Sequence, residues 1–201
     1  MALGLWLAKG PARSNNGAMR IALFGGSFDP PHVAHQLACV YALLTQPIDE
    51  VWMVPCYQHP FDKRSAPFAH RVALCERAVA TLPGVRVCTI EADLPAPSYT
   101  LLTLRALRAR HPEHEFAIMI GADLLGERER WYGWEELSRE AAFVVLGRTG
   151  SGREVDEQSI DLPEVSSTRV RSCLQEGQRP SGLVSRAVLA YIDEHGLYRG
   201  R

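Results

Sequence analysis

Short apolar runs alternate along this chain with stretches whose apolar positions recur at helical spacing. Ile21–Phe24, Val51–Val54, Val85–Ile90, Phe116–Ile120 and Phe143–Leu146 are compact and rich in β-branched and aromatic residues, which predicts strands. Between and after them, 35–45, 68–81, 99–110, 131–140, 167–175 and 185–194 carry the spacing of helices. Strands that alternate with helices predict an α/β class: an open parallel sheet, covered by helices on both faces, in a single domain. No repeat or low-complexity tract interrupts the pattern.

In such a sheet, ligands bind beyond the carboxyl ends of the strands. Gly25–Gly26, the irregular stretch Pro55–Pro67, Gly121–Asp123 and Gly147–Thr149 all directly follow a predicted strand, so all four are expected to border one crevice. The first of these is the most informative. Ile21–Phe24 runs into Gly25–Gly26–Ser27–Phe28, then Asp29 and the stiff pair Pro30–Pro31, then a helix start carrying His32 and His35. Paired glycines let a backbone turn sharply and approach a ligand closely. A helix N-terminus offers N–H groups and a positive dipole end to an anion. Residues three apart share one helix face, so His32 and His35 are placed to address the same phosphate. The spacing is neither that of a dinucleotide-binding glycine loop nor that of a P-loop. No cysteine or third histidine nearby completes a metal set with the two histidines, so hydrogen bonding to phosphate is their expected role, with no protein-held metal.

Composition narrows the class without changing it. Of 201 residues, 46% are hydrophobic and 22% charged, an ordinary globular balance. A formal net charge of −1 lacks the basic excess of a general nucleic-acid or membrane-surface binder. The five cysteines are scattered and form no C-x-x-C pair, which argues against a zinc knuckle or a disulfide framework and for a reducing, cytoplasmic location. No apolar run is long enough to cross a bilayer. Residues 1–18 differ from the rest: a short apolar start is followed by small polar residues, so a disordered extension is expected there, with the domain occupying 19–201.

A second anion-friendly helix start lies in Val165–Ser166–Ser167–Thr168–Arg169–Val170–Arg171, where Ser167 or Thr168 is the expected N-cap. Taken together, Gly25–Gly26–Ser27–Phe28–Asp29–Pro30–Pro31–His32–x–x–His35 and Ser166–Ser167–Thr168–x–x–Arg171 resemble the nucleotidyltransferases with the H-x-G-H motif, whose sheet is Rossmann-like. Ser98–Tyr99–Thr100, Gly121–Ala122–Asp123, Trp131–Tyr132 and Gly147–Arg148–Thr149–Gly150 narrow the resemblance to the bacterial nicotinate-nucleotide adenylyltransferases, from about residue 19 onward. The resemblance implies transfer of AMP from ATP to nicotinate mononucleotide, a step in NAD biosynthesis that releases pyrophosphate. It gives His32, His35 and Arg171 the catalytic contacts to the ATP phosphates. Gly25, Gly26, Ser27, Phe28, Lys63, Gly121, Asp123, Ser167 and Thr168 would complete the ATP site. Tyr99, Thr100, Trp131 and Arg148 would surround the acceptor, with Thr100 reading its carboxylate and Trp131 stacking on its ring. A Mg²⁺ ion would be bound mainly through the ATP phosphates.

Two departures from the family pattern stand out. Ala34 replaces the glycine between the histidines, and a methyl group there would press on the nucleotide if the backbone ran close to it. The loop His59–Pro60–Phe61–Asp62–Lys63–Arg64 lacks the usual Pro-Pro-His-Lys run and puts Asp62 beside Lys63. Adenylylation of nicotinamide mononucleotide or another phosphorylated acceptor, and nucleotide binding without catalysis, stay open as alternatives. So does assembly into a homo-oligomer.

Overall fold

A computed structural model describes residues 17–60, 65–122, 124–147 and 163–199. The expected extension at 1–18 lies, apart from its last two residues, outside the described residues. The chain runs β1 (Arg20–Gly26), α1 (Val33–Thr45), β2 (Glu50–Pro55), α2 (Phe68–Val79), β3 (Val85–Val87) and a 3-10 turn (Ile90–Asp93). It continues through α3 (Thr100–Arg110), β4 (Glu115–Gly121), a 3-10 stretch (Leu124–Arg130), α4 (Trp134–Glu140), β5 (Ala142–Leu146), α5 (Ser167–Gln175) and α6 (Arg186–His195). The five strands form one sheet in the order β3-β2-β1-β4-β5, and every pairing is parallel.

Strand residues alternate between two cores, as the two-residue period of a strand requires. Ile21 and Leu23 of β1, Trp52 and Val54 of β2, and Phe116, Ile118 and Ile120 of β4 face a core completed by Leu101, Leu104 and Leu107 of α3 and Leu137 of α4. Ala22, Val51, Met53, Ala117 and Met119 face the other, which α1, α2, α5 and α6 close with Ala38, Ala42, Leu74, Val170, Val188 and Ile192. Both faces of the central strands are covered, which is why their sequences read as continuous apolar runs.

Two expectations need correction. The strand predicted over Val85–Ile90 ends at Val87, because Ile90–Asp93 coils into the 3-10 turn and buries Glu91. The helix predicted over 131–140 begins only at Trp134, after a left-handed Gly133 and an unforeseen 3-10 stretch. A Cβ at Gly133 would collide with Cδ2 of Leu101, so this turn packs hard against the first turn of α3.

The strand order reverses between β1 and β4. Their ladder runs from Arg20↔Glu115 to Leu23↔Ile118, whereas the β1–β2 ladder continues to Gly26↔Pro55. Beyond Leu23 and Ile118 the two central strands therefore part, and Gly25 and Gly26 lie at the mouth of the opening. This is the crevice that a doubly wound sheet offers to a ligand.

Candidate active site at the carboxyl ends of the central strands

Gly25 is exposed, and a Cβ built on it would meet nothing within 4 Å, so a ligand has open access to this backbone. Gly26 is different. A Cβ there would stand 3.0 Å from the Phe28 ring, which is fully buried and held at φ +46°. A bulky residue in this left-handed region is unfavourable and persists only where its surroundings fix it. The Phe28 ring, edge-on to Phe24 at 5.5 Å and to His35 at 5.0 Å, supplies that constraint.

His32 caps α1 and His35 sits in its first turn. Their rings stack with centroids 3.6 Å apart, so the shared face expected from their spacing is realised. Nδ1 of His35 accepts the backbone N–H of His32 at 3.1 Å. In the neutral ring that bond leaves the proton on Nε2, a donor suited to a phosphate oxygen. The backbone N–H of Val33 donates to the carbonyl of Leu183. Part of the expected helix-end N–H set is thus spent inside the protein, and the histidine rings and the dipole carry the site's appeal to anions. The methyl of Ala34 is buried in the core shared by Phe28, Ala38 and Cys39 rather than exposed at the crevice.

The second helix start closes on the first. Ser166, rather than the expected Ser167 or Thr168, caps α5 by accepting the N–H of Arg169. Ser167 is released from that task, and its hydroxyl donates to the carbonyl of Pro30 at 2.9 Å. Nη1 of Arg171 donates to the carbonyl of Asp29 at 2.6 Å, and its Nη2 donates to Oγ1 of Thr168 at 3.2 Å. His32, His35, Ser167, Thr168 and Arg171 are therefore gathered around the Asp29–Pro30–Pro31 turn, next to the Gly25–Gly26 mouth.

Two buried charged residues hold this cradle in shape. Asp29 is 4% exposed; its Oδ1 accepts the N–H of Ala66 at 3.1 Å and the hydroxyl of Tyr198 at 2.7 Å. Arg71 is 3% exposed, and its guanidinium donates to the carbonyls of Ala66, Ser27 and Tyr57 at 3.0, 2.9 and 3.4 Å. Burial and the Asp29 carboxylate push ionisation of the Tyr198 phenol far above its usual range, so it remains a donor.

Gly121 ends β4, and the N–H of Ala122 donates to the carbonyl of Leu146, which places this loop beside the same opening. Tyr99 precedes α3, Thr100 opens it, and the Tyr99 ring stacks on Tyr132 at 4.4 Å. Trp131 packs instead edge-on to Trp134 at 5.9 Å, against the core under α3 and α4. Lys63, Asp123 and Arg148 lie outside the described residues.

The cytidylyltransferase-like family pattern matches residues 23–173, from the middle of β1 through the second helix start. The chain belongs to this family. Its curated relatives place it further: a protein of Anaeromyxobacter sp. (strain K), named a probable nicotinate-nucleotide adenylyltransferase, is 46% identical over 188 residues, which is 92% of this chain and all of the relative. Proteins of the same name from Myxococcus xanthus and Thermus thermophilus are 41% and 39% identical, each over 90% of this chain and 95% and 100% of the relative. The chain is thus a member of the nicotinate-nucleotide adenylyltransferase family. Among solved structures, the Plasmodium falciparum nicotinic acid mononucleotide adenylyltransferase complexed with NaAD superposes with a TM-score of 0.75 at 23% identity. That superposition covers 90% of this chain and 97% of the other, a likeness of fold.

Several residues that brace the cradle and the loops beside it escaped the sequence reading. Arg71 falls in phase with the buried positions Leu74, Cys75 and Ala78, and a cation on an apolar helix face was the available signal. Glu91 bridges the N–H of Tyr57 and the hydroxyl of Thr103, at 3.0 Å each, and so ties the loop after β2 to α3. Nothing in the sequence around Tyr198 marks it as a partner of Asp29. His111, Glu113 and His114 also bring potential metal-ligand atoms within 4.8 Å of one another. They stand just before β4, at the end of the sheet away from the cradle, and Nδ1 of His114 accepts the N–H of Met19 at 3.4 Å.

Proposed function

We propose that this protein transfers AMP from ATP to nicotinate mononucleotide, giving nicotinate adenine dinucleotide and pyrophosphate. The observation that carries the reading is that the stacked His32–His35 pair and Arg171 both adjoin the Asp29–Pro30–Pro31 turn, at the point where the strand order reverses, in a member of this family. An oxygen of the acceptor's 5′-phosphate attacks the α-phosphorus of ATP. The new P–O bond forms as the bond from the α-phosphorus to the bridging oxygen breaks, and the electron pair leaves with pyrophosphate. The attacking phosphate is already ionised at neutral pH, so the chain need supply no strong base. Its residues position the two phosphates and neutralise charge in the transition state.

In this reading, Nε2–H of His35, the ring of His32 and the guanidinium of Arg171 grip the triphosphate. Gly25 allows its close approach, with Gly26, Ser27, Phe28, Ser167 and Thr168 bordering it. Gly121, with Asp123 and Lys63, borders the rest of ATP. Tyr99 and Thr100 at the start of α3 receive the acceptor, with Arg148 and the Trp131–Tyr132 turn; the Tyr99–Tyr132 stack makes Tyr132 an additional candidate beside Trp131.

The buried carboxylate of the cradle, Asp29, is occupied by Ala66 and Tyr198, and its Oδ2 faces Arg171 at 3.7 Å. That donor set suits Mg²⁺ carried in on the triphosphate oxygens rather than a protein-built cage. Held there, with His32, His35 and Arg171 around the phosphates, the ion would offset charge on the departing pyrophosphate. All five cysteines are free thiols, and no helix among the described residues is long and apolar enough to cross a membrane. We place the reaction in the cytoplasm on the strength of those thiols.

The test is pyrophosphate release with ATP and Mg²⁺, comparing nicotinate mononucleotide with nicotinamide mononucleotide. A strong preference for the nicotinate form is expected. Preference for the nicotinamide form would overturn the acceptor assignment, and release with neither acceptor would overturn the enzymatic reading.

A further inference from the structure

The two non-glycine residues with positive φ among the described residues, Phe28 at +46° and Tyr198 at +60°, meet at one carboxylate. Phe28 precedes Asp29 in the chain, and Tyr198 reaches Asp29 across 169 residues to donate its hydroxyl at 2.7 Å. The other oxygen of Asp29, Oδ2, lies 3.7 Å from Nη1 of Arg171, beyond hydrogen-bonding distance. That same nitrogen donates instead to the backbone carbonyl of Asp29. The carboxylate thus steers the arginine without gripping it. Arg171 is 31% exposed in its side chain, whereas Asp29 is 6% exposed. The guanidinium faces outward, and the charge that orients it is buried.

A buried carboxylate needs its charge distributed over donors, and it draws more strongly on any one of them when another is lost. Here the donors to Oδ1 are the Ala66 N–H and the Tyr198 hydroxyl. Without the hydroxyl, the nearest source of compensation is Arg171. Its guanidinium would then move from the 3.7 Å separation into a direct, charge-assisted pair, which is shorter and stronger. An arginine so engaged is withdrawn from an anion outside.

We propose that Tyr198 is a positioning residue for the triphosphate: by taking up part of the Asp29 charge, it keeps Arg171 available to ATP. This rests on the reading that the cradle holds the ATP phosphates. The left-handed backbone at Tyr198 fits the role, since a strained conformation of a bulky residue is kept where the surrounding contacts fix it. Burial of the phenol keeps its proton in place as the donor.

The experiment is a double-mutant cycle on ATP affinity, read by calorimetric titration of the full-length chain with ATP and Mg²⁺ and no acceptor. Tyr198→Phe removes the hydroxyl and keeps the ring. Alone, it should weaken ATP binding about tenfold, the scale of one charge-assisted hydrogen bond. With Arg171→Ala already present, it should weaken binding by no more than about twofold, because the residue it acts through is gone. The same factor in both backgrounds, or no change in the single variant, would overturn the proposal. Should Tyr198→Phe fail to fold, Asp29→Asn enters the same cycle, and its effect on ATP must likewise disappear when Arg171 is alanine. A wild-type chain that binds no ATP would remove the functional reading along with this one. A chain that binds ATP and releases pyrophosphate, but whose Tyr198→Phe variant binds ATP as tightly, would remove only this one.

Discussion

Replacing Arg71 with lysine keeps the positive charge and discards the planar fork. In the wild type, Nε and the two Nη atoms each reach a different backbone carbonyl, from Ala66, Ser27 and Tyr57, and the guanidinium lies 5.5 Å from the centre of the Phe68 ring. A lysine ammonium is a compact point charge at the end of a flexible stem and can serve one of these carbonyls well. Two bonds from a charged donor are then lost, each worth about 1.5 kcal/mol at the lower end of the measured range. The Tyr57 bond is long and its carbonyl belongs to an exposed residue, so water recovers part of that loss. The expected cost is about 2–3 kcal/mol, set against a total stability of roughly 5–15 kcal/mol. With a urea slope of about 2 kcal/mol per molar, the unfolding midpoint should fall by roughly 1–1.5 M. Because the three carbonyls belong to the glycine turn and to the loop after β2, the Michaelis constant for ATP should rise while the variant remains folded. A midpoint within about 0.25 M of wild type would correspond to about 0.5 kcal/mol. That result would refute the claim that the fork, rather than the charge, holds these segments together.

His35→Ala should lower turnover by about 10²- to 10³-fold, the usual cost of removing one donor to transition-state charge. The same change should lower stability by only about 1 kcal/mol, through loss of the bond from His32 N–H. Near-normal pyrophosphate release from the folded variant would remove the histidine from the phosphate assignment. The alkaline limb of stability should report the buried thiols. Burial pushes Cys39 up to about 12 and raises Cys75 well above its usual value. Both stay protonated in the fold, whereas unfolded thiols ionise near pH ~8.5. Their stabilisation is therefore complete below that pH and is lost as pH rises toward the folded values, at about 1 kcal/mol per pH unit for each thiol. Cys88 and Tyr198, also raised by burial, add to the slope, so Cys39→Ala should reduce it by about 1 kcal/mol per pH unit between about pH 9 and 10 rather than abolish it, read from urea midpoints. An unchanged slope would refute the attribution.

The sheet was legible because its signals are local. The runs at Ile21–Phe24, Val51–Val54, Phe116–Ile120 and Phe143–Leu146 lie within the observed strands, which extend them by one to three residues. Their parallel arrangement followed from the intervening helices, and the stacked histidines followed from a spacing of three on α1. What escaped notice was long-range or decided by competition for a few donors. A three-residue β3 followed by a 3-10 turn depends on Glu91 finding Thr103 and the N–H of Tyr57, which no run of residues announces. The cap of α5 moved by one residue because Ser167 has a better acceptor in Pro30, from the other end of the chain. The ring contacts in the turn before α4 were equally hidden: Trp131 meets Trp134, and the neighbouring Tyr132 meets Tyr99.

The hydroxyl of Tyr198 and the carboxylate of Asp29 also set an order of events during synthesis. The glycine turn and both histidines emerge from the ribosome early, and strands β1 to β5 can pair once residue 146 is out. The arginine that bonds the Asp29 carbonyl comes later, at 171, and the tyrosine that bonds the Asp29 carboxylate comes later still. A nascent chain can therefore pair all five strands while its clamp is unfinished. It would then also lack Val170, Val188 and Ile192, which cover one face of the sheet, so the segment that delivers Arg171 and Tyr198 to the site is the one that closes the core.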